Sequence, residues 1–130
     1  MKPVFTKAAP EDWVPPSLEW DGDSYPTNKT LKAIRNWPYD KAEELFIKIQ
    51  KHWFGGEDYC HNDDSAPGCW RISSAGWSGN ESCLAEMERN HMLWMQIFVC
   101  HRNGGHYVFS STFPRTQFRV RMEVDAEVVK

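Results

Sequence analysis

The chain has 130 residues, of which 41% are hydrophobic and 25% are charged; this composition is typical of one folded domain and excludes wholesale disorder. A formal net charge of −3 disfavours binding to DNA or RNA and is too small for a DNA mimic. The longest apolar stretch, 92–100, is too short to span a bilayer, and the N-terminus has no apolar signal core. We therefore expect a cytoplasmic protein that binds neither nucleic acid nor membranes.

Residues 1–27 predict an extended arm that precedes a single domain over residues 28–130. The arm contains five prolines and no helical periodicity, and Trp13 and Trp20 are spaced among acidic residues. A disordered tail rarely carries so many aromatic residues, so the arm is expected either to wrap over the domain or to reach a second chain. In the second case Trp13 and Trp20 form an interface, with a partner protein or within a homo-oligomer.

Two helices are predicted after the arm. Residues 28–36 form a short helix that stops before Trp37-Pro38. A second helix starts at a capping box made by Asp40 and Glu43 and ends at Gly55-Gly56. Its apolar residues recur at helical spacing and are Ala42, Leu45, Phe46, Ile49 and Trp53.

The second half of the chain predicts strands around one long helix. A polar loop over 57–68, with a short edge strand near Tyr59, leads into a strand over 69–74. Ser78 and Glu81 form a capping box for a helix over 80–101, which is apolar nearly all round after residue 92 and should be buried there. Strands are predicted over 106–112 and 118–124. The fold class is α+β, or a small α/β fold, with one long buried helix and one amphipathic helix on a sheet of three to four strands.

The connection between strands 69–74 and 106–112 has two possible geometries. In a crossover unit the strands are parallel, and residues 110–112 arrive beside the loop at 76–80, where ligands of α/β sheets bind. However, about 20 helical residues rise about 30 Å, which is more than a six-residue strand covers. The competing geometry is a helix that projects past an antiparallel sheet.

The loop between Ser73 and Glu81 is the main candidate site. Small residues before a helix start leave backbone N–H groups free, and the helix dipole favours an anion there. In this interpretation the N–H groups of 77–80 bind a nucleotide-like anion, Trp77 stacks on its ring and Asn80 contacts its polar edges. The candidate ligand-binding residues are Gly76, Trp77, Ser78, Gly79, Asn80, His106, Ser110 and Thr112. The competing interpretation is a tight strand-to-helix turn over a packed Trp77, because the loop matches neither the P-loop nor the dinucleotide motif.

Catalytic and metal sites have weaker support in the sequence. Ser78 lacks the frame of a nucleophile elbow, so we expect no enzyme, and a small hydrolase using His106 and Glu81 is kept as an alternative. Cys60, Cys69 and nearby histidines lack the paired spacing of structural zinc sites. We expect reduced, buried thiols and no cofactor.

Three segments together resemble a family of small proteins encoded in phage and prophage genomes. They are 53–59 (WFGGEDY), 76–81 (GWSGNE) and 104–109 (GGHYVF), and the resemblance covers about residues 37 to 112. The chain differs in Ala75, where the family usually has the first glycine of a G-G-W-S-G-N-E loop, and in Asn103, which separates Arg102 from Gly104. The resemblance implies a phage-encoded protein in the host cytoplasm with an accessory task such as counter-defence.

Together these observations predict a non-catalytic, phage-type accessory protein that binds a nucleotide-like small molecule at 76–80. A protein of this kind removes a dilute signal only if it is in excess over the ligand and binds it tightly. The alternative is an anti-defence protein, for example an inhibitor of the anti-CRISPR type, which binds a host defence protein through exposed aromatic residues.

Overall fold

The protein is described here by a computed structural model, which covers residues 2–63, 66 and 68–111. The helices are α1 (Asn28–Arg35), α2 (Ala42–Gln50), α3 (Ser78–Arg89) and α4 (His91–Ile97), with a 3₁₀ turn at Gly56–Asp58. The strands are β1 (Cys60–Asn62), β2 (Cys69–Ser73), β3 (Phe98–Arg102) and β4 (His106–Ser110). Helices and an antiparallel sheet confirm the predicted α+β class. Thr112 and the predicted strand over 118–124 lie outside the described residues.

The described strands form one antiparallel sheet in the order β1-β2-β4-β3. The register of β2 with β4 pairs Cys69 with Ser110 and Ser73 with His106. The parallel crossover considered from the sequence is therefore wrong. The strands are antiparallel because β3 and β4 form a hairpin. The chain reverses direction in this hairpin before β4 pairs with β2.

The predicted helix over 80–101 is also wrong, because it breaks at Asn90 and its last residues form β3. Asn90 is completely buried, and its Nδ2 donates to the carbonyl oxygens of Ile34 (3.1 Å) and Trp37 (2.9 Å). Its Oδ1 accepts from the backbone N–H of Leu93 at 3.3 Å, which caps the start of α4. The Asn90 side chain thus satisfies backbone groups of two segments while its own backbone leaves the helical conformation.

The helix starts differ from the predicted capping boxes. α2 begins after Lys41 and α3 after Trp77, and neither residue makes a side-chain cap. Asp40 instead accepts a hydrogen bond from the backbone of Ala9 (2.9 Å), and Glu43 Oε1 accepts from the indole N–H of Trp70 (2.8 Å). The tertiary partners of these carboxylates replace the local caps. α1 has a side-chain cap, in which Thr27 accepts from the backbone N–H of Thr30.

The core lies between the helices and one face of the sheet. On that face Trp70 and Phe109 contact the ring of Phe46 from α2. Trp94 of α4 packs edge-on against Phe109 and Tyr107. The largest fully buried apolar side chains are Trp37, Trp70, Phe46, Phe109, Ile34, Leu45, Ile49, Ile72, Met87, Leu93 and Ile97. Large aromatic side chains therefore fill much of this core.

No helix among the described residues is long and apolar enough to cross a membrane.

The N-terminal arm lies along the domain. Val4 exchanges backbone hydrogen bonds with Arg89 and His91, both at 2.8 Å, at the break between α3 and α4. Further along the arm, Trp13 packs edge-on against the buried Trp37 at a centroid distance of 5.4 Å. Through these contacts the arm packs against its own domain.

Replacing Gly105 by Ala is expected to lower the free energy of unfolding by about 3 kcal/mol, which urea unfolding would measure. Gly105 has a φ of +77°, and a Cβ there would overlap the hydroxyl of Ser74. Gly56 is the matched control, because its φ is +75° but a Cβ would meet no atom within 4 Å. Gly56→Ala should therefore cost only the backbone strain, about 1 kcal/mol. Equal losses in the two variants would contradict the close packing of the hairpin turn against Ser74.

Candidate functional site

Some backbone N–H groups of the loop between β2 and α3 donate hydrogen bonds to acceptors within the same loop. Ala75 and Gly76 have left-handed backbones, with φ of 55° and 68°. The N–H of Gly76 donates to the hydroxyl of Ser74 at 3.2 Å, and the N–H of Trp77 donates to the carbonyl oxygen of Ser74 at 3.0 Å. Of the four N–H groups predicted to bind the anion, that of Trp77 is thus used in a tight turn, together with the preceding N–H of Gly76.

Asn80 connects this loop to the segment that follows α2. Its side chain is completely buried, and Nδ2 donates to the carbonyl oxygens of Phe54 (3.0 Å) and Ser74 (3.1 Å). Its Oδ1 accepts from the backbone N–H of Phe54 at 3.3 Å. These three bonds use the amide inside the protein, so the structure gives Asn80 a positioning role for the loop.

Trp77 is half-buried, and its ring has protein partners. It stacks on Phe54 at a centroid distance of 4.4 Å and contacts Tyr25 at 5.0 Å. The indole N–H donates to the carbonyl oxygen of Ser24 at 3.1 Å. A Cβ added at Gly79 would lie 2.9 Å from that same oxygen. The arm therefore packs against the first turn of α3, where the anion was predicted.

The remaining predicted ligand residues lie at different places. Ser78 is exposed, and its hydroxyl donates to the phenolic oxygen of Tyr25 at 3.1 Å. His106 pairs with Ser73 and so lies at the loop end of the sheet. Ser110 pairs with Cys69 at the opposite end, which corrects the expectation that it reaches the loop; the antiparallel direction of β4 is the reason. Thr112 lies outside the described residues.

A cleft of about 380 Å³ lies beside the loop, between α3 and the hairpin of β3 and β4. The helix contributes Glu81, Leu84, Ala85 and Glu88, which are spaced along one helical face. The hairpin contributes His101 and Tyr107 together with its turn, Asn103 to Gly105, and Ser74 closes one end. The cleft therefore combines a negative wall with an aromatic wall and a glycine turn.

The carboxylates on one wall of the cleft interact electrostatically with Tyr107 on the other wall. Burial raises the pKa of Tyr107, and the negative charges of Glu88 and Glu81 raise it further. The imidazole of His101 lies parallel to the Tyr107 ring, at a centroid distance of 4.1 Å and an angle of 5°. Because both carboxylates act on Tyr107, a bound group beside that ring would lie in a negative potential.

His106 and Glu81 do not share this cleft. Tyr107 faces the helices, and successive residues of a strand point to opposite faces, so His106 points to the other face of the sheet. There it lines a second cleft, of about 190 Å³, with Asp58, Tyr59 and His61. The two groups named in the hydrolase alternative therefore line different clefts.

The cysteines that were weighed as metal ligands also point apart. Cys60 pairs with Ile72, and Cys69 lies three residues before Ile72 on the same strand, so the two thiols face opposite sides of the sheet. The cysteines are all free thiols. Within residues 2–63, 66 and 68–111, no group of three or more His, Cys, Asp or Glu side chains has the arrangement of a metal site.

Trp13 and Trp20, the residues predicted for an interface, are partly buried against the core. Trp13 packs on Trp37, and the ammonium group of Lys41 lies 5.9 Å from its ring centroid. Trp20 stacks on His52 at a centroid distance of 4.7 Å. Both side chains attach the arm to the domain.

Sequence reasoning missed Glu88, His101 and Tyr107 as members of one cleft. A partial signal was present, because Glu81 and Glu88 are seven residues apart and flank Leu84 and Ala85, which places all four on one helical face. No sequence pattern indicated the opposite wall of the cleft, because the residues of β3 were predicted to be helical. The hairpin that carries His101 and Tyr107 was therefore absent from the sequence prediction.

No protein-family model matches this chain, and neither the curated proteins nor the solved structures contain a significant match to it. The resemblance to small phage proteins stays a prediction from the motif segments.

Proposed function

We propose that this protein is a phage-type accessory protein that binds a small molecule without catalysis, and that the ligand occupies the cleft between α3 and the hairpin. The observation that carries this proposal is the position of Tyr107, which forms one wall of the cleft while Glu81 and Glu88 form the other. A concave site with a few convergent polar groups on an apolar wall is the usual form of a small-molecule site.

The chemistry of the walls favours a ligand with a positively charged group. The two carboxylates of the helix wall would accept hydrogen bonds from an ammonium or guanidinium group. A nucleotide-like anion, which the sequence suggested for 76–80, fits this cleft poorly because Glu81 and Glu88 repel phosphate. At the loop itself, the N–H groups of Gly76 and Trp77 already donate to Ser74.

The motif segments support placing the site here. Glu81 ends the segment 76–81, and Gly104, Gly105 and Tyr107 belong to the segment 104–109; these residues line the cleft from both sides. Two of the three segments that resemble the phage family, 76–81 and 104–109, therefore contribute residues to the proposed site. Counter-defence in a host cell, through capture of a small signal, is the role that the resemblance implies for such a protein.

A thermal-shift screen tests the proposal, with small amines and guanidines in one panel and nucleotides, including cyclic dinucleotides, in the other. We expect a cationic ligand at about 100 times its dissociation constant to stabilise the fold by about 2.7 kcal/mol, which raises Tm by about 10 °C. The double variant Glu81→Gln, Glu88→Gln should remove this rise, since each charged contact is worth about tenfold in affinity.

Glu11→Gln is the matched control, because it removes an exposed carboxylate of the arm and should keep the full rise in Tm. A rise with nucleotides that Trp77→Ala abolishes, with no rise for any cation, would contradict the cleft proposal and return the site to the 76–80 loop.

A further inference from the structure

Three aromatic rings form an exposed cluster on the surface next to the start of α3; we call Tyr25, Phe54 and Trp77 the aromatic stack. Tyr25 is 38% exposed and Phe54 is 40% exposed. Trp77 stacks on Phe54 at an interplanar angle of 15°, and Tyr25 is tilted by 36° against Trp77. The rings come from the arm, the segment after α2 and the loop before α3, so tertiary structure alone brings them together.

Hydrogen bonds hold the aromatic stack in place. The side chain of Asn80 bonds to both the N–H and the carbonyl oxygen of Phe54. The indole N–H of Trp77 donates to Ser24, and the hydroxyl of Ser78 donates to Tyr25. A surface that is already ordered loses little side-chain entropy when a partner binds, which is typical of interface anchors.

The chain segments that carry the aromatic stack are strongly acidic. Segments 19–25, 51–58 and 77–81 hold six carboxylates and one lysine, Lys51, whereas the whole chain has a net charge of −3. The six carboxylates are all exposed and belong to Glu19, Asp21, Asp23, Glu57, Asp58 and Glu81. The segments that supply the three rings therefore also supply an excess of exposed negative charge.

We propose that the aromatic stack is the docking surface for an arginine-rich segment of a partner protein. A guanidinium group stacks on aromatic faces and pairs with carboxylates, so arginine satisfies both features of this surface at once. The exposed carboxylates of the same segments steer a basic segment to the surface and repel nucleic acid. A second copy of this chain would bring the same negative charge and so fits less well.

This surface is distinct from the cleft, although Glu81 lies in a segment of the one and in the wall of the other. The test therefore leaves Glu81 unchanged and uses Phe54, Glu57 and Asp58. Failure of this proposal leaves the cleft proposal intact, because the loss of the Tm rise in Glu81→Gln, Glu88→Gln does not involve Phe54, Glu57 or Asp58.

The probe is a fluorescently labelled peptide of alternating Arg and Gly, with binding followed by anisotropy at low salt. We expect the Arg-Gly peptide to bind the full chain saturably and to bind the Phe54→Ala variant about tenfold more weakly. A peptide of alternating Lys and Gly should bind the full chain more weakly than the Arg-Gly peptide does. Raising the salt to about 0.5 M should weaken binding further, since exposed charges are then screened. Phe5→Ala is the matched control, because it removes an aromatic ring that is 65% exposed at another place and should leave binding unchanged.

The double variant Glu57→Gln, Asp58→Asn keeps all three rings and should weaken binding of the Arg-Gly peptide several-fold, which tests the charge even if Phe54→Ala folds poorly. Unchanged affinity in both variants, or equal binding of a Glu-Gly peptide, would overturn the proposal. Self-association of the wild-type chain in sedimentation velocity that Phe54→Ala abolishes would also overturn it, because a second copy would then be the occupant.

Discussion

Asn90→Asp is expected to lower the free energy of unfolding by about 4 kcal/mol at neutral pH. The amide Nδ2 of Asn90 donates to the carbonyl oxygens of Ile34 and Trp37, and a carboxylate has no proton to donate to either. Both carbonyl groups would lose their donor, and a buried negative charge would face them. Urea unfolding of the variant and the wild type measures the difference.

Asn36→Asp is the matched control for this substitution. Asn36 is exposed, and its Nδ2 donates to the carbonyl oxygen of Lys32 at 2.9 Å, so the same atom is exchanged where water can replace the bond. We expect a loss below about 1 kcal/mol there. Losses of similar size in the two variants would contradict the role of Asn90 as the residue that joins α1, Trp37 and the start of α4.

Alkaline pH is expected to destabilise the protein through two buried thiols. Burial raises the pKa of Cys60 from 9.0 to about 12, with a further contribution from Cys83. Burial likewise raises the pKa of Cys83 from 9.0 to about 12, with a contribution from Glu86. Above the unfolded value the unfolded chain loses these protons and the folded chain keeps them, so stability falls as the pH rises from about 9 to about 12.

The expected slope is about 1.4 kcal/mol per pH unit for each thiol. Urea unfolding under reducing conditions at several pH values measures it, and the double variant Cys60→Ala, Cys83→Ala should lack this part of the slope. Cys100→Ala removes a partly exposed thiol and serves as the control. If the wild type and the double variant lost stability equally between pH 9 and 12, the two thiols would not be the cause.

Local periodicity was sufficient for several elements. The spacing of Leu45, Phe46 and Ile49 predicts the helix where α2 lies, and the alternation in 69–74 and 106–112 predicts the strands where β2 and β4 lie. In each case one face of the segment is buried in the core, so apolar residues recur along the sequence with the period of a helix or a strand. The α+β class follows from these elements.

The break at Asn90 and the start of β3 could not be predicted in this way. Residues 92–100 are apolar nearly all round, and a continuous apolar run suits a buried helix and a buried strand equally. The choice depends on Asn90, whose side chain is satisfied by the carbonyl oxygens of Ile34 and Trp37, more than 50 residues away in the chain. A partner at that distance leaves no local signal.

The candidate site was predicted in part. The loop at 76–80 connects β2 to α3, as both interpretations of the sequence predict, and polar groups of Gly76, Trp77 and Asn80 form hydrogen bonds within the protein. The cleft beside it depends on the hairpin, whose first strand was predicted to be helix. We therefore propose the neighbouring cleft, and not the loop, as the binding site.

The most direct test of the cleft as the binding site is a backbone amide chemical-shift map, recorded by NMR as a cationic hit from the thermal-shift screen is added. We expect the largest changes at Leu84, Ala85, Gly104, Gly105 and Tyr107, all of which line the cleft, and their loss in Glu81→Gln, Glu88→Gln. Changes confined to residues 76–78 on addition of a nucleotide, with the cleft amides unaffected by any cation, would contradict the account.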